Sequence, residues 1–184
     1  MSNVSKVVDL AAWLKSVHRE VRNGEPRSLV MRRRYPTTLP DLWDAVTTPE
    51  RVDRWFARIE GTPAQGETVV IHDNGVPISW TVEIRTCEAP HRLVLGWRFN
   101  GKNEMFDHDD THDEVEVRLT PDGDGTWLEL EHRSPDQGPW QKISGTGWEG
   151  MIMGLAGYLE DYDVVPVFTS GEVWPLLQEV WDLP

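Results

Sequence analysis

Three stretches of this 184-residue chain hold residue types that could do chemistry. In GTGWEG, residues 145–150, Gly145, Gly147 and Gly150 fit the G-x-G-x-x-G turn that seats a dinucleotide pyrophosphate on a helix N-terminus. In DHDDTHD, residues 107–113, His108 and His112 stand four apart among carboxylates, as two metal ligands on one helix face would. His132 shares a strand face with Leu128 and Leu130, which makes it either a satisfied core histidine or a polar group inside a pocket.

Context decides between these readings. A dinucleotide turn follows a buried parallel strand and precedes an acidic residue by about 20 positions. Here the preceding residues are PWQKIS, polar and proline-broken, so the glycine spacing reads as coincidence. The paired histidines lie in a loop entering a strand, with no cysteine and no third histidine beside them, so the run reads as a solvated acidic loop. No serine or cysteine sits in a nucleophile elbow, and neither H-E-x-x-H nor a phosphate loop occurs. Nothing points to covalent or metal catalysis, and no cofactor is expected.

The 18 basic and 31 acidic residues leave a net charge of −13, which repels phosphate backbones and anionic membranes. Nucleic acid and membrane are therefore poor partners. The single cysteine, Cys87, cannot form an internal disulfide, and no apolar run approaches 18 residues. The N-terminus lacks a signal-peptide pattern, so a soluble cytoplasmic protein is expected. The length suits one domain with a substantial core. Ten tryptophans fit either a packed aromatic interior or a roomy aromatic pocket.

These residues must be positioned by the elements around them. Val7, Leu10, Leu14, Val17 and Val21 recur at helical spacing, predicting an N-terminal helix that Asn23-Gly24 ends. SLVMRRRYP alternates as a strand, with Arg33 facing away from Arg32 and Arg34. TTLPDLWDAVTTPERVDRWF predicts two short helices starting near Pro40 and Pro49, because threonine caps a helix and proline suits its first turn. ETVVIHD, PISWTVEIRTCE, RLVLGWRF, DEVEVRLT and TWLELEHRS follow, separated by turn signals, as in an antiparallel meander. Trp80, Trp97 and His132 fall on the apolar faces of these strands.

The longest helix is predicted over residues 147–163, and SGEVWPLLQEVWDL predicts a short closing helix. At about 100° per residue, Trp148, Met151, Ile152, Leu155, Tyr158, Leu159 and Tyr162 share the arc that should cover the sheet. Gly150, Gly154 and Gly157 gather elsewhere. Either they only loosen the helix, or another element approaches closely there, a terminal helix or a second copy of the chain in a homodimer.

The order of elements and several stretches together resemble the helix-grip or START superfamily, also called SRPBCC. LPDLWDAVTTPERVDRWF, APHRLVLGW, GDGTWLELEH and GTGWEGMIMGLAGYLE look like its helix pair, later strands and gripping helix. The resemblance covers residues 28–163 and is nearest to the subgroup related to the activator of the heat-shock chaperone ATPase. Residues 1–27, as a helical extension, and 164–184 fall outside it. It implies an α+β fold in which a curved antiparallel sheet wraps a long C-terminal helix and leaves a cavity for apolar ligands. RLVLGWRFNG with the Asp/His-rich loop is also similar to START-type proteins of enediyne biosynthesis, which protect the producer by binding the drug.

The expected function is therefore non-enzymatic binding of a hydrophobic or aromatic small molecule such as a polyketide or enediyne. Trp55, Phe56, Trp80, Trp97, His132, Trp148, Met151, Ile152 and Leu155 are the expected lining. The residues alone show a shared interior, which a fully packed core would equally explain; the hollow comes from the resemblance. The family also implies two alternatives, a co-chaperone that stimulates a chaperone ATPase and an enzyme of the polyketide-cyclase or hydratase type using His132 or a pocket carboxylate as acid or base.

Overall fold

Alternation along each strand sorts the side chains onto two faces of one sheet. The computed structural model describes residues 9–101, 113–135, 140–164 and 171–183. Helix α1 (Leu10–Ser16) leads into strands β1 (His18–Arg22) and β2 (Arg27–Tyr35), then helices α2 (Leu39–Thr47) and α3 (Pro49–Val52). Strands β3 (Ala57–Glu60), β4 (Thr68–Asp73), β5 (Ser79–Glu88), β6 (Arg92–Phe99), β7 (Asp113–Asp122) and β8 (Gly125–Ser134) follow. Helix α4 (Trp140–Glu160) and helix α5 (Val173–Val180) complete the order. The eight strands form one curved antiparallel sheet in the order β1-β2-β8-β7-β6-β5-β4-β3. This is the expected α+β helix-grip arrangement, with α4 lying on the sheet's inner face.

The helix pair after β2 forms as its residues dictate. The Thr38 hydroxyl accepts from the Asp41 N–H at the start of α2, and Pro40 sits in the first turn, where its missing N–H costs nothing. Thr48 closes α2 and opens α3.

The inner face is read off the register. Ile71 pairs with Trp80, Val82 with Trp97, Leu95 with Val115, Val115 with His132, and His132 with Leu29. Directly paired residues project to the same side, so one apolar surface runs unbroken across the strands.

The outer face is a lattice of charges. Glu116 is 3% exposed beneath Arg92, Arg118 and Arg133. Burial pushes its carboxyl upward, but the bonds and charges of Arg92, Arg118 and Arg133 outweigh that and hold it below the ordinary glutamate range. A carboxyl lowered on folding adds stability that is complete above its unfolded value and is lost as pH falls through the folded one. The stability gap between wild type and Glu116→Gln, measured from urea midpoints, is expected to be largest at neutral pH and to shrink below about pH 4.3. A gap independent of pH would contradict this role.

Two expectations need correction. The N-terminal helix does not reach Val21: α1 ends at Ser16, and residues 18–22 pair with β2 as an edge strand, with Asn23-Gly24 lying in the hairpin turn. The spacing of Val17 and Val21 suits a strand as well as a helix, and pairing with β2 decides it. The long helix begins seven residues before Gly147, at Trp140. Gly145 is thus not a turn residue but an interior helical position, where an added Cβ would lie 2.3 Å from the Trp181 ring of the segment that follows α5. The fully buried Trp181 indole takes that space.

Close approach also explains Gly154 and Gly157, and the neighbour is the chain itself. A Cβ at Gly154 would stand 2.6 Å from the Trp55 carbonyl oxygen, and one at Gly157 would stand 2.8 Å from the Tyr162 carbonyl oxygen. Alanine is the better helix former by about 1 kcal/mol. Gly154→Ala is nevertheless expected to lower stability by about 1–3 kcal/mol, because the contact is with backbone that cannot rotate away. Its urea midpoint is the check; a gain in stability would show that the α3–β3 link yields freely.

Candidate functional site between sheet and helix

The nine residues expected to line an interior converge between the sheet and α4. Trp80 lies on β5, Trp97 on β6 and His132 on β8, all facing inward. Trp148, Met151, Ile152 and Leu155 come from α4 and are all buried. Trp55 and Phe56 follow α3 and are half-buried at the margin, where the Trp55 indole N–H donates to the Ala45 carbonyl (3.0 Å).

The aromatic rings form one continuous row. Ring centroids are 5.6 Å apart for Trp55–Phe56, 5.7 Å for Phe56–Trp80, 5.5 Å for Trp80–Trp97 and 5.3 Å for Trp97–Trp148. Phe99 joins from the side, 6.4 Å from Trp80, in an edge-on contact. These separations fall in the range where tilted rings attract beyond their burial. The row starts at the half-buried Trp55–Phe56 pair and ends at Trp148, which is buried on α4.

Its inner end is polar. The Trp148 indole N–H donates to His132 Nδ1 (2.9 Å), and His132 Nε2 lies 2.9 Å from Asp113 Oδ2. An indole nitrogen can only donate, so Nδ1 must accept, and the ring proton therefore sits on Nε2 and is given to Asp113. This fixes the His132 tautomer and engages both ring nitrogens. The polar contact expected from His132 thus goes to the protein, and Asp113 becomes the group at the end of the row.

Asp113 was missed in the sequence because it closes the acidic run 107–113. Its register with Trp97 puts it on the inner face, and the alternation Asp113, Val115, Val117, Leu119 was the signal that could have found it. His108 and His112 lie outside the described residues, and no metal-binding cluster occurs among the described residues.

A second cluster fastens the helix rather than lining the site. Fully buried Glu149 accepts from the Trp13 indole N–H (2.8 Å) and from Arg19 Nε. On β2, the inward Arg33 donates to Glu160 (2.7 Å) and lies over the rings of Trp13 and Tyr35. Burial is the largest influence and opposes the Arg33 charge, but the Glu160 bond and the charges of Tyr35, Glu160 and Tyr162 together outweigh it and raise its pKa. Burial pushes the Tyr35 phenol well above its ordinary value, and its hydroxyl donates to the Ile152 carbonyl (2.9 Å). The terminal elements α1, β1 and α5 thus pack on their own chain.

A curved antiparallel sheet gripping one long helix, with an aromatic row and a buried polar end between them, defines a helix-grip α+β protein. Residues 36–160 match the family described as Activator of Hsp90 ATPase homolog 1-like protein, and the chain belongs to that family. Its fold is similar to that of CalU16 from Micromonospora echinospora. The CalU16 crystal structure is 29% identical with a TM-score of 0.68, covering 90% of this chain and 95% of CalU16. The CalU16 solution structure is 31% identical with a TM-score of 0.67, covering 90% and 91%. DynU16, a protein in the dynemicin biosynthetic locus, is 25% identical with a TM-score of 0.65, over 75% of this chain and 51% of DynU16. Protein MLL2253 from Mesorhizobium loti is 25% identical with a TM-score of 0.64, over 74% and 99%. No curated protein sequence gives a significant match. Among the described residues, no helix is long and apolar enough to cross a membrane.

Proposed function

We propose that this protein binds a hydrophobic, aromatic small molecule between the inner face of the sheet and α4, without catalysing its conversion. The aromatic row from Phe56 through Trp80 and Trp97 to Trp148 is the observation that carries the reading. Flat rings offer large, rigid contact area to a planar or conjugated ligand, and Met151 on α4 adapts to its outline. The ligand class is a polyketide or enediyne-type natural product, in biosynthesis or self-resistance. The similarity to DynU16, from the dynemicin locus, supports that choice, as does the resemblance to START-type proteins of enediyne biosynthesis. Binding is favoured over acid–base chemistry because both nitrogens of His132 are engaged by Trp148 and Asp113.

The reading is tested by titrating the intrinsic tryptophan fluorescence with fatty acids, flavonoids, aromatic polyketides and enediynes. Saturable quenching by an aromatic polyketide or enediyne is expected. No saturable quenching by any member of the panel would sink the proposal, and turnover of a bound compound would replace binding with catalysis.

A further inference from the structure

Asp113 has one carboxylate oxygen more than the described residues use. Oδ2 receives the His132 Nε2–H, whereas Oδ1 is out of contact with solvent and has no hydrogen-bond partner among the described residues. A buried acceptor without a donor has given up its hydrogen bonds to water and gained none in return, so such an atom calls for a partner. Its location says what kind. Asp113 pairs with Trp97 across β6 and β7 on the inner face, and His132 joins it to Trp148, so the oxygen stands where the aromatic row ends. The chain Trp148 to His132 to Asp113 runs donor to acceptor in one direction only, because the indole nitrogen cannot accept. The imidazole therefore presents its proton to Asp113, and the carboxylate's remaining lone pairs can receive only a donor.

We propose that Asp113 Oδ1 accepts a hydroxyl of the bound molecule, so that the site selects aromatic ligands bearing a phenol over the corresponding ethers and carboxylates. This rests on the pocket reading above and sharpens it to a chemical class. An aryl ether has no proton to give and leaves the oxygen buried and unpaired. An aryl carboxylate brings a second negative charge against the first, which is unfavourable in a partly desolvated site. A phenol gives one charge-assisted hydrogen bond and lets its ring continue the row from Trp97 and Trp148.

The test compares 2-naphthol, 2-methoxynaphthalene and 2-naphthoate by tryptophan-fluorescence titration of the full chain, in wild type and in Asp113→Asn. In wild type, 2-naphthol is expected to bind about tenfold or more tightly than the methyl ether, the scale of one charge-assisted hydrogen bond, and naphthoate most weakly. In Asp113→Asn, the amide oxygen can take the His132 proton and turn the NH2 toward the ligand, so the preference for naphthol should collapse to near one. Circular dichroism checks that the variant is folded, and the wild-type comparison stands without it. Equal binding of naphthol and its ether in wild type, or a preference that survives in Asp113→Asn, overturns this inference and leaves the pocket reading intact. Binding of none of the three overturns this inference, and the pocket reading falls with it only if the polyketides and enediynes of the panel also fail to quench.

Discussion

Replacing Glu149 with alanine is expected to lower stability by about 3–5 kcal/mol, the usual cost of stranding one partner of a buried ion pair. For a chain of this size that is a fall in Tm of roughly 10 °C. Glu149 is fully buried on α4, and Arg19 on β1 keeps only 10% of its side chain exposed. Two of the Arg19 donors are anchored otherwise: Nη1 donates to the carbonyls of Leu14 (3.0 Å) and Val17 (2.9 Å). With the carboxylate gone the guanidinium cannot swing out, because those carbonyls hold it, and the Trp13 indole N–H loses its acceptor as well. The double variant Arg19→Met with Glu149→Leu should recover a large part of the loss, since apolar groups of similar volume replace buried pairs at little cost. Thermal and urea unfolding of wild type, Arg19→Met, Glu149→Leu and the double variant measure the coupling. A loss under about 1 kcal/mol, or strictly additive effects, would show that the pair does not fasten α1 and β1 to α4.

The second large effect is expected from Trp97→Ala. Trp97 is an inner member of the aromatic row, touching Trp80 on one side and Trp148 on the other. Truncation removes both contacts, and large-to-small changes of this kind cost about 3–5 kcal/mol. For the ligand the expected loss is at least about tenfold in affinity, as one stacking face and the continuity of the row disappear together. Trp97→Phe keeps a ring at the position and should retain most of both. The comparison separates the readings: an alanine variant that unfolds more easily yet binds a ligand with unchanged affinity would confine Trp97 to packing.

Much of this arrangement was legible in the sequence, and for stated physical reasons. Period-two alternation placed Trp80, Trp97 and His132 on one face, and helical period placed Trp148, Met151, Ile152 and Leu155 on another that must meet it. Arg33 was correctly separated from Arg32 and Arg34 by the same rule, and it is the buried one of the three. What local period could not show was anything decided by a distant partner. Arg19 faces inward on β1 because Glu149 waits 130 residues later, and without that partner an inward arginine contradicts a strand pattern. Gly145 fell outside the predicted helix because the Trp181 ring that needs its missing side chain comes near the end of the chain. Asp113 looked solvated because its acidic neighbours masked the strand alternation it begins. Only the pairing of β6 with β7 turns it inward.

The most direct measurement of the central claim is the set of indole N–H signals in a two-dimensional 1H–15N spectrum during titration with an aromatic polyketide or enediyne that quenches the fluorescence. The ten tryptophans are separate reporters spread over the molecule. Trp80, Trp97 and Trp148 are expected to shift together and saturate at one ligand per chain. Trp127, whose indole N–H donates to Asp122 on the outer face, should stay still. Saturable shifts confined to tryptophans outside the row, with Trp80, Trp97 and Trp148 unmoved, would contradict a binding site between the sheet and α4.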